Sequence, residues 1–372
     1  MTEVHDCFRK IPSWHSQDWE GVHDTLKKTA EIFLSVQEKE NSTFLSAQGY
    51  SNSSVKKMGE VYQRFLNSEP LSSVREIKNF FESFFTLFRL SPDPKNAYLT
   101  GYYEPLLSAS LTPSDRFRFP LFTLAIQNSL ESGPTGISVF KKYARRDFYL
   151  TPLTQKENVT PLIWLEDPVA RYFLEVQGSG QFVLPSGVKC RVTSQATSGH
   201  PYVPLSRKLF DEGGVSSSQF LNKDHFESFL KTLPIDGGGG LLEILSLNPR
   251  FVYFEMRVDQ SAEDNEGPWG TFGKNETEKK GISLTPGRSL AVDQSLIPLG
   301  FPVWIETTSK LPPLLEGMFP RLMFTHDTGG AILGRGRGDV FFGTGSLAEK
   351  KAGLLNHSAQ MYLFLPQEEN RA

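Results

Sequence analysis

The chain has 372 residues and a formal net charge of −3 at pH 7; 38% of its residues are hydrophobic and 22% are charged. This length fits two domains, and the composition excludes intrinsic disorder. The slightly acidic balance argues against nucleic acid as a partner, because nucleic-acid binding favours a basic surface. The two cysteines, Cys7 and Cys190, lie far apart, so the sequence indicates neither a disulfide framework nor a metal cluster.

The first hundred residues contain three stretches with helical periodicity. Apolar residues at helical spacing predict helices within 17–39, 55–65 and 74–88. Ser73 and Glu76 have the spacing of a capping box at the start of the third stretch. Because such periodicity reports one buried face, we interpret all three as packing helices.

From about Tyr98 the sequence takes on the pattern of strands. The stretches 117–124, 147–153 and 171–192 are rich in Phe, Tyr, Val and Leu and are interrupted by Pro and Gly, which is typical of strands joined by turns. Pro185-Ser186-Gly187 predicts a turn within the last of them.

Short helical patterns return near 205–212 and 218–232, and the run from Gly237 to Gly240 then indicates a domain boundary. The last third, 241–366, has one helix candidate at 241–247, followed by strands with many glycine turns. This pattern predicts a compact β-barrel.

Three aspartates in the last third stand close to glycines. They are Asp293 in Gly287-Arg288-Ser289-Leu290-Ala291-Val292-Asp293, Asp327 in His326-Asp327-Thr328-Gly329-Gly330, and Asp339 in Gly334-Arg335-Gly336-Arg337-Gly338-Asp339-Val340. An aspartate in such a setting usually caps a turn. Asp339 is also followed by apolar residues, which would raise its pKa as a general acid requires, whereas the nearby arginines would lower it if they point inward.

Two other segments combine small residues with hydrogen-bonding and aromatic side chains, as sugar-binding sites do. One is Thr100-Gly101-Tyr102-Tyr103, followed by Glu104-Pro105, and the other is Gln177-Gly178-Ser179-Gly180, preceded by Glu175-Val176. Either segment alone is weak evidence, and a glycine-flanked serine such as Ser179 is more often part of a turn than a ligand contact.

Together with Asn248-Pro249-Arg250-Phe251-Val252-Tyr253-Phe254, these motifs resemble the membrane-bound lytic murein transglycosylase A family, whose 3D module is named for three aspartates. The resemblance runs from about Tyr98 to Leu365. It implies a mainly β fold with N-terminal helices, in which 1–104 and 239–372 form a discontinuous double-psi β-barrel domain. A smaller β-rich domain, 105–238, would be inserted, with a glycan groove between the two.

The resemblance also implies an activity. Family members cleave the β-1,4 bond between N-acetylmuramic acid and N-acetylglucosamine in peptidoglycan and leave a 1,6-anhydromuramoyl end, without a cofactor or a metal ion. Asp339 matches the catalytic residue, and Asp327 and Asp293 match the two supporting aspartates. The Thr100 to Tyr103 and Gln177 to Gly180 segments would contact the glycan. We expect a monomer in the periplasm or at the outer membrane, with cell-wall enzyme complexes as candidate partners.

The sequence departs from the family's usual form in two places. Residues 1–19 match no signal peptide, and Cys7 follows Val4-His5-Asp6, which is no lipoprotein signal, while no stretch has the length of a transmembrane helix. The loop from Arg335 to Gly338 is slightly longer than usual.

Two other functions are open to a chain with these motifs. Asp327-Thr328-Gly329 is the triplet of aspartic proteases, but their chemistry needs two carboxylates, and no second such triplet occurs. The other is a non-catalytic glycan-binding protein on the same barrel, which would not need a carboxyl group at Asp339.

Overall fold

The computed structural model describes residues 8, 11–15, 19–39, 52–91, 97–125, 131–132, 138–151, 156–211, 223–235, 239–258, 268–273, 281–308, 310–329 and 332–367. The chain divides into two compact units. The first combines Met1–Tyr103 with Asn265–Ala372, and the second is Glu104–Asp264.

The elements follow the chain from the first unit into the second and back again. The opening elements are α1 (Val22–Lys39), α2 (Asn52–Leu66), α3 (Val74–Phe84), β1 (Phe85–Arg89) and β2 (Tyr98–Glu104). The second unit contains β3 (Leu106–Ser110), β4 (Phe119–Leu124), β5 (Glu131–Ser132), β6 (Ser138–Val139), α4 (Arg146–Tyr149), β7 (Val159–Leu165), α5 (Pro168–Gln177), β8 (Ser179–Val183), β9 (Lys189–Thr197), α6 (Leu205–Asp211), α7 (Lys223–Thr232), α8 (Leu241–Ser246) and β10 (Val252–Val258). The first unit then resumes with β11 (Ser289–Val292), β12 (Pro302–Thr307), β13 (Arg321–Asp327), β14 (Arg337–Thr344), α9 (Ser346–Leu354) and β15 (Asn356–Pro366).

The predicted N-terminal helices are confirmed as α1, α2 and α3. The Ser73 hydroxyl accepts a hydrogen bond from the Glu76 backbone N–H at 3.2 Å, and the Glu76 carboxylate accepts one from the Ser73 N–H at 3.0 Å, so the capping box is also confirmed. The third helix ends at Phe84, however, and Phe88 lies in β1. The prediction was wrong there because β1 pairs with β15, a tertiary contact that local periodicity does not report.

The strands of the first unit form one sheet in the order β1-β15-β12-β13-β11-β14-β2. The long strand β15 pairs with β1 and β12 and also with β2, which closes a ring of the six strands other than β1. Large apolar side chains of these strands, such as Trp304, Phe324 and Leu363, are fully buried in the core of the first unit. The prediction of a β-rich last third is therefore confirmed. Its ring of strands closes only with β2, however, which precedes the second unit in the chain.

The second unit is built on a sheet in the order β4-β7-β3-β8-β9-β6-β5, with β10 paired to β9 as well. The predicted turn at Pro185-Ser186-Gly187 is confirmed between β8 and β9, where the Leu184 N–H donates to the Val188 carbonyl at 2.9 Å. The strand in 117–124 and the helices near 205–212, 218–232 and 241–247 are confirmed as β4, α6, α7 and α8, although 212–222 lies outside the described residues.

Two stretches predicted as strands are helical at least in part. Residues 146–149 form α4, and α5 covers the first part of 171–192. Helix α5 is fixed at both ends: the Asp167 carboxylate caps the Val169 N–H at 2.8 Å, Pro168 occupies the first turn, and Gly178 ends the helix in the left-handed conformation with φ of 84°. These end signals outweigh the β-forming composition between them.

The second unit reaches Asp264, beyond the expected end of the inserted domain at Gly238. The reason is β10, which pairs with β9 along its whole length, from Val252 opposite Thr197 to Val258 opposite Cys190. Gly237 and Gly238 lie outside the described residues. In the described part of the chain, none of the helices is sufficiently long and apolar to cross a membrane.

Candidate functional site

Strand pairing in the first unit places two of the three aspartates at one level of the sheet. Ala291 on β11 lies opposite Asp339 on the antiparallel neighbour β14 and opposite Asp327 on the parallel neighbour β13. Residues opposite one another in a sheet project to the same face. Ala291 therefore lies between the two aspartates in the sheet.

Asp339 is partly buried and hydrogen-bonded to a residue from the other end of the unit. The Thr100 hydroxyl, on β2, donates to Asp339 Oδ1 at 2.5 Å. Arg337, two residues before Asp339 on β14, donates from Nη2 to the same Thr100 oxygen at 2.7 Å. The predicted segments around Thr100 and Asp339 thus meet in space, although they are far apart in the sequence.

The pKa of Asp339 lies above its ordinary value. Burial is the main cause, because it destabilises the charged form. The hydrogen bond from Thr100 and the positive charge of Arg337 pull the pKa down, and the neighbouring negative charge of Asp327 pushes it up. The net direction is the one that lets a carboxyl group act as an acid near neutral pH.

Asp327 makes more hydrogen bonds than Asp339. Its Oδ1 accepts from the Thr271 N–H at 3.0 Å and from the Thr271 hydroxyl at 2.7 Å, and its Oδ2 accepts from the Tyr102 hydroxyl at 3.0 Å. Burial nevertheless raises its pKa, and the hydrogen bonds offset only part of that effect. Asp327 therefore ties the segment 268–273 and β2 to the end of β13.

Asp293 has a different character. It follows β11 and accepts hydrogen bonds from the Ser295 N–H at 3.1 Å, the Ser295 hydroxyl at 2.6 Å and the Gly334 N–H at 2.8 Å. Burial pushes its pKa upward, but these hydrogen bonds outweigh burial and the pKa is lowered. An ionised Asp293 thus anchors the loop that leads into β14.

The Thr100 to Tyr103 segment lies in β2, beside the two aspartates. The pKa of Tyr102 is raised well above its ordinary value, mainly by burial and then by the negative charges of Asp327 and Asp339. Tyr103 instead donates to Glu349 on α9. Gly101 is explained by packing, because a Cβ there would lie 2.5 Å from the Phe342 ring and 2.8 Å from the Ala352 Cα.

The second predicted sugar-binding segment lies in the other compact unit. Gln177 is the last residue of α5 and is exposed, Gly178 is the C-cap, and Ser179 and Gly180 begin β8. Glu175, just before the segment, is fully buried and accepts hydrogen bonds from Arg145 and Arg171. Its role in this unit is structural.

His326, next to Asp327, is buried and bound on both sides. Nε2 lies 2.9 Å from the Thr29 hydroxyl, which donates its proton to the Thr25 carbonyl, so Nε2 carries a proton. Nδ1 lies 2.8 Å from the Ser289 hydroxyl. Burial, with the charge of Lys28, holds the pKa of His326 well below its ordinary value, so the ring is a neutral connector between α1 and the barrel.

Sequence reasoning missed Thr271, which supplies two of the hydrogen bonds to Asp327. No local signal distinguishes this threonine, because its partner lies 56 residues away. The sequence does not determine where the Arg337 side chain points. In the structure it points towards Thr100.

Comparison with known proteins gives a consistent result. The family model described as "MltA specific insert domain" matches residues 98–255, and the model described as "3D domain" matches residues 288–365. The membrane-bound lytic murein transglycosylase A of Escherichia coli strain K12 is 26% identical over 286 residues, an alignment that covers 72% of this chain but 65% of that protein, just under two thirds.

Solved structures agree with these matches. A membrane-bound lytic murein transglycosylase from Agrobacterium tumefaciens is 26% identical, with 97% of each chain covered and a TM-score of 0.75. E. coli MltA with bound chitohexaose is 19% identical, with 92% of this chain and 90% of that chain covered and a TM-score of 0.62, which shows a shared fold. With both of its characteristic domains present in order, the chain belongs to the membrane-bound lytic murein transglycosylase A family.

Proposed function

We propose that this protein is a lytic transglycosylase that cleaves the β-1,4 bond between N-acetylmuramic acid and N-acetylglucosamine in peptidoglycan. Its relatives are named lytic murein transglycosylases, and one of them has been solved with bound chitohexaose. The observation that carries the proposal is the partly buried Asp339, whose pKa is raised by burial while Thr100 fixes one of its oxygens.

In the proposed reaction Asp339 acts first as an acid and then as a base. The protonated carboxyl group donates its proton to the glycosidic oxygen as the bond from that oxygen to C1 of muramic acid breaks. The resulting carboxylate then accepts the proton of the 6-hydroxyl of the same sugar as that oxygen bonds to C1. The product carries a 1,6-anhydro ring, no water is consumed, and Asp339 ends protonated as it began.

An intramolecular nucleophile removes the need for a second catalytic carboxylate. Ordinary glycosidases use two, one as the acid and the other as the nucleophile or base. Here the 6-hydroxyl is already attached to the reacting sugar, and effective concentrations in such reactions reach roughly 10⁵–10⁸ M. Asp327 is then a supporting residue that holds Tyr102 and Thr271, and Asp293 supports the loop before Asp339.

The same proposal extends to the architecture and the location. The closed ring of strands in the first unit supports a double-psi β-barrel, since it combines strands from both ends of the chain. A glycan groove with contacts from Gln177 to Gly180 stays a prediction from the family resemblance. We propose action on the cell wall in the periplasm, in line with the membrane-bound relatives. Neither a metal ion nor an organic cofactor enters the reaction as written.

The most direct test of the acid/base assignment is Asp339→Asn. An amide keeps the shape of the side chain and can still accept the Thr100 hydrogen bond, but it cannot transfer the proton. We expect turnover of purified murein to fall by about 10⁴-fold or more, since general acid–base catalysis typically contributes about 10²–10⁴-fold. The melting temperature and murein binding should stay close to those of the parent.

The matched control is Asp115→Asn, which makes the same change at an exposed aspartate of the second unit. It should leave turnover unchanged. If Asp339→Asn keeps near-normal turnover, or loses activity only because it unfolds, then Asp339 is not the acid/base residue. If the parent binds murein without cutting it, the chain is a glycan-binding protein instead.

A further inference from the structure

Arg337 is held in place by several contacts close to Asp339. Nη2 donates to the Thr100 hydroxyl at 2.7 Å, and Nη1 donates to the Gly338 carbonyl at 2.6 Å and to the Tyr98 carbonyl at 3.4 Å. The guanidinium also lies over the Tyr98 ring, 5.7 Å from its centroid. These contacts fix the guanidinium on the same side of β2 as the Thr100 hydroxyl.

The contact with Arg337 determines the direction of the Thr100 proton. A guanidinium only donates hydrogen bonds, so the Thr100 oxygen accepts from Arg337 and its own proton points elsewhere. Asp339 Oδ1, at 2.5 Å, is the acceptor that it meets. One hydrogen bond therefore runs from Arg337 to Thr100 and a second from Thr100 to Asp339 Oδ1, and we call these three residues the relay.

We propose that Arg337 is a positioning residue, which acts through Thr100 to keep Asp339 Oδ1 a hydrogen-bond acceptor and so makes Oδ2 the oxygen that carries the catalytic proton. Within the described ranges Oδ2 has no hydrogen-bond partner, so it is available to a substrate oxygen. The inference rests on the proposed function. It concerns Arg337, the first residue of β14.

The titratable and charged groups that face Asp339 come from three strands. They are Arg337 on its own strand β14, Asp327 on β13 and Tyr102 on β2. Arg337 is the cation of this set. Its removal should raise the pKa of Asp339 while loosening the alignment of the carboxyl group.

The loosened alignment and the raised pKa of Asp339 change different features of a pH–rate profile. Arg337→Met keeps much of the side-chain stem but removes the charge and the donors. We expect its maximal turnover to fall by about tenfold, the size expected for loss of one charge-assisted hydrogen bond. The alkaline limb of the profile, where Asp339 loses its proton, should move to higher pH. Thr100→Val should give the same pair of changes, and Thr100→Ser, which keeps the hydroxyl, should lose far less.

The double variant tests whether Arg337 acts through Thr100. In the Thr100→Val background, adding Arg337→Met should lower maximal turnover by less than about twofold, because residues of one hydrogen-bond network are not additive. An equal, tenfold effect in both backgrounds would overturn the relay. Lys350→Gln removes an exposed charge on α9 and is the control, with no expected shift. Melting curves of each variant establish that it is folded.

A measurement without substrate separates this inference from the proposed function. The Asp339 carboxyl carbon can be titrated by NMR in ¹³C-aspartate-labelled protein and assigned by its loss in Asp339→Asn. Arg337→Met and Thr100→Val should each raise its pKa relative to the parent and to Lys350→Gln. An unchanged pKa in both variants would overturn the relay even if murein is cleaved, whereas raised values without any cleavage would refute the proposed function and leave the relay standing.

Discussion

The two aspartates beside Ala291 differ in their hydrogen bonding, and this difference supports the different roles proposed for them. Burial raises the pKa of both. Among the residues that the structure describes, Asp327 accepts three hydrogen bonds from Thr271 and Tyr102, which connect separate parts of the unit, while Asp339 accepts one from Thr100. A carboxyl group that is less committed to structural partners is better placed to exchange a proton with a substrate.

This difference predicts that Asp327→Asn affects stability, unlike Asp339→Asn. The amide oxygen can still accept from Thr271, but its NH₂ group would donate to the Tyr102 oxygen, so the Tyr102 hydroxyl would lose the acceptor of its own proton. The lost hydrogen bond should cost about 1 kcal/mol of unfolding free energy. The variant no longer buries the negative charge of Asp327, and this offsets part of any larger loss of stability. Thermal or denaturant unfolding of the two variants beside the parent measures this.

Murein turnover of Asp327→Asn should fall together with its stability, because Tyr102 loses its anchor beside Asp339. A variant that melts like the parent and cleaves normally would show that Asp327 supports neither the fold nor the site.

At the residue scale the sequence singled out residues that the structure brings together, such as Thr100 and Asp339, but it did not predict how they interact. Asp339 stood out because apolar residues follow it and because its surroundings resemble a family motif. The direction of Arg337 could not be predicted, because its partner Thr100 is 237 residues away in the sequence. The same is true of Thr271, whose contact with Asp327 depends on the assembled barrel.

At the scale of secondary structure, errors arose where two kinds of local signal compete. In α5 the aromatic and β-branched composition favours a strand, whereas Asp167, Pro168 and Gly178 favour a helix between them. The end signals prevailed and could have been recognised from the sequence. In β1, by contrast, no local signal ends the helix before Phe85, and pairing with β15 decides the structure.

The importance of the α5 cap can be measured with Asp167→Ala. The carboxylate caps the Val169 N–H and lies 3.5 Å from Lys231. Loss of an N-cap costs about 1 kcal/mol, and the exposed ion pair adds little. We therefore expect a loss of about 1 kcal/mol in unfolding free energy, measured by urea denaturation.

Asp167→Asn is the matched control for that change, since an asparagine still caps a helix but cannot form the ion pair. It should be within a few tenths of a kcal/mol of the parent. Equal destabilisation by both variants would mean that the ion pair with Lys231, and not the cap, holds the start of α5.

At the scale of the whole molecule, the site depends on both ends of the chain. Thr100 and Tyr102 come from β2, before the second unit, whereas Asp339 and Asp327 come from strands that follow it. Pairing of β15 with β2 and closure of the ring bring these groups together. Sequence patterns predicted strands in the last third, but only the family resemblance predicted that both ends of the chain share one barrel.

In the proposed reaction one carboxyl group cleaves the glycan by internal transfer and not by adding water. The measurement that tests it most directly is mass analysis of the products from purified murein digested with the parent protein. We predict muropeptides that end in 1,6-anhydromuramic acid, with Asp339→Asn releasing none. Products dominated by reducing ends, each one water heavier, would contradict the account and identify the protein as a hydrolase.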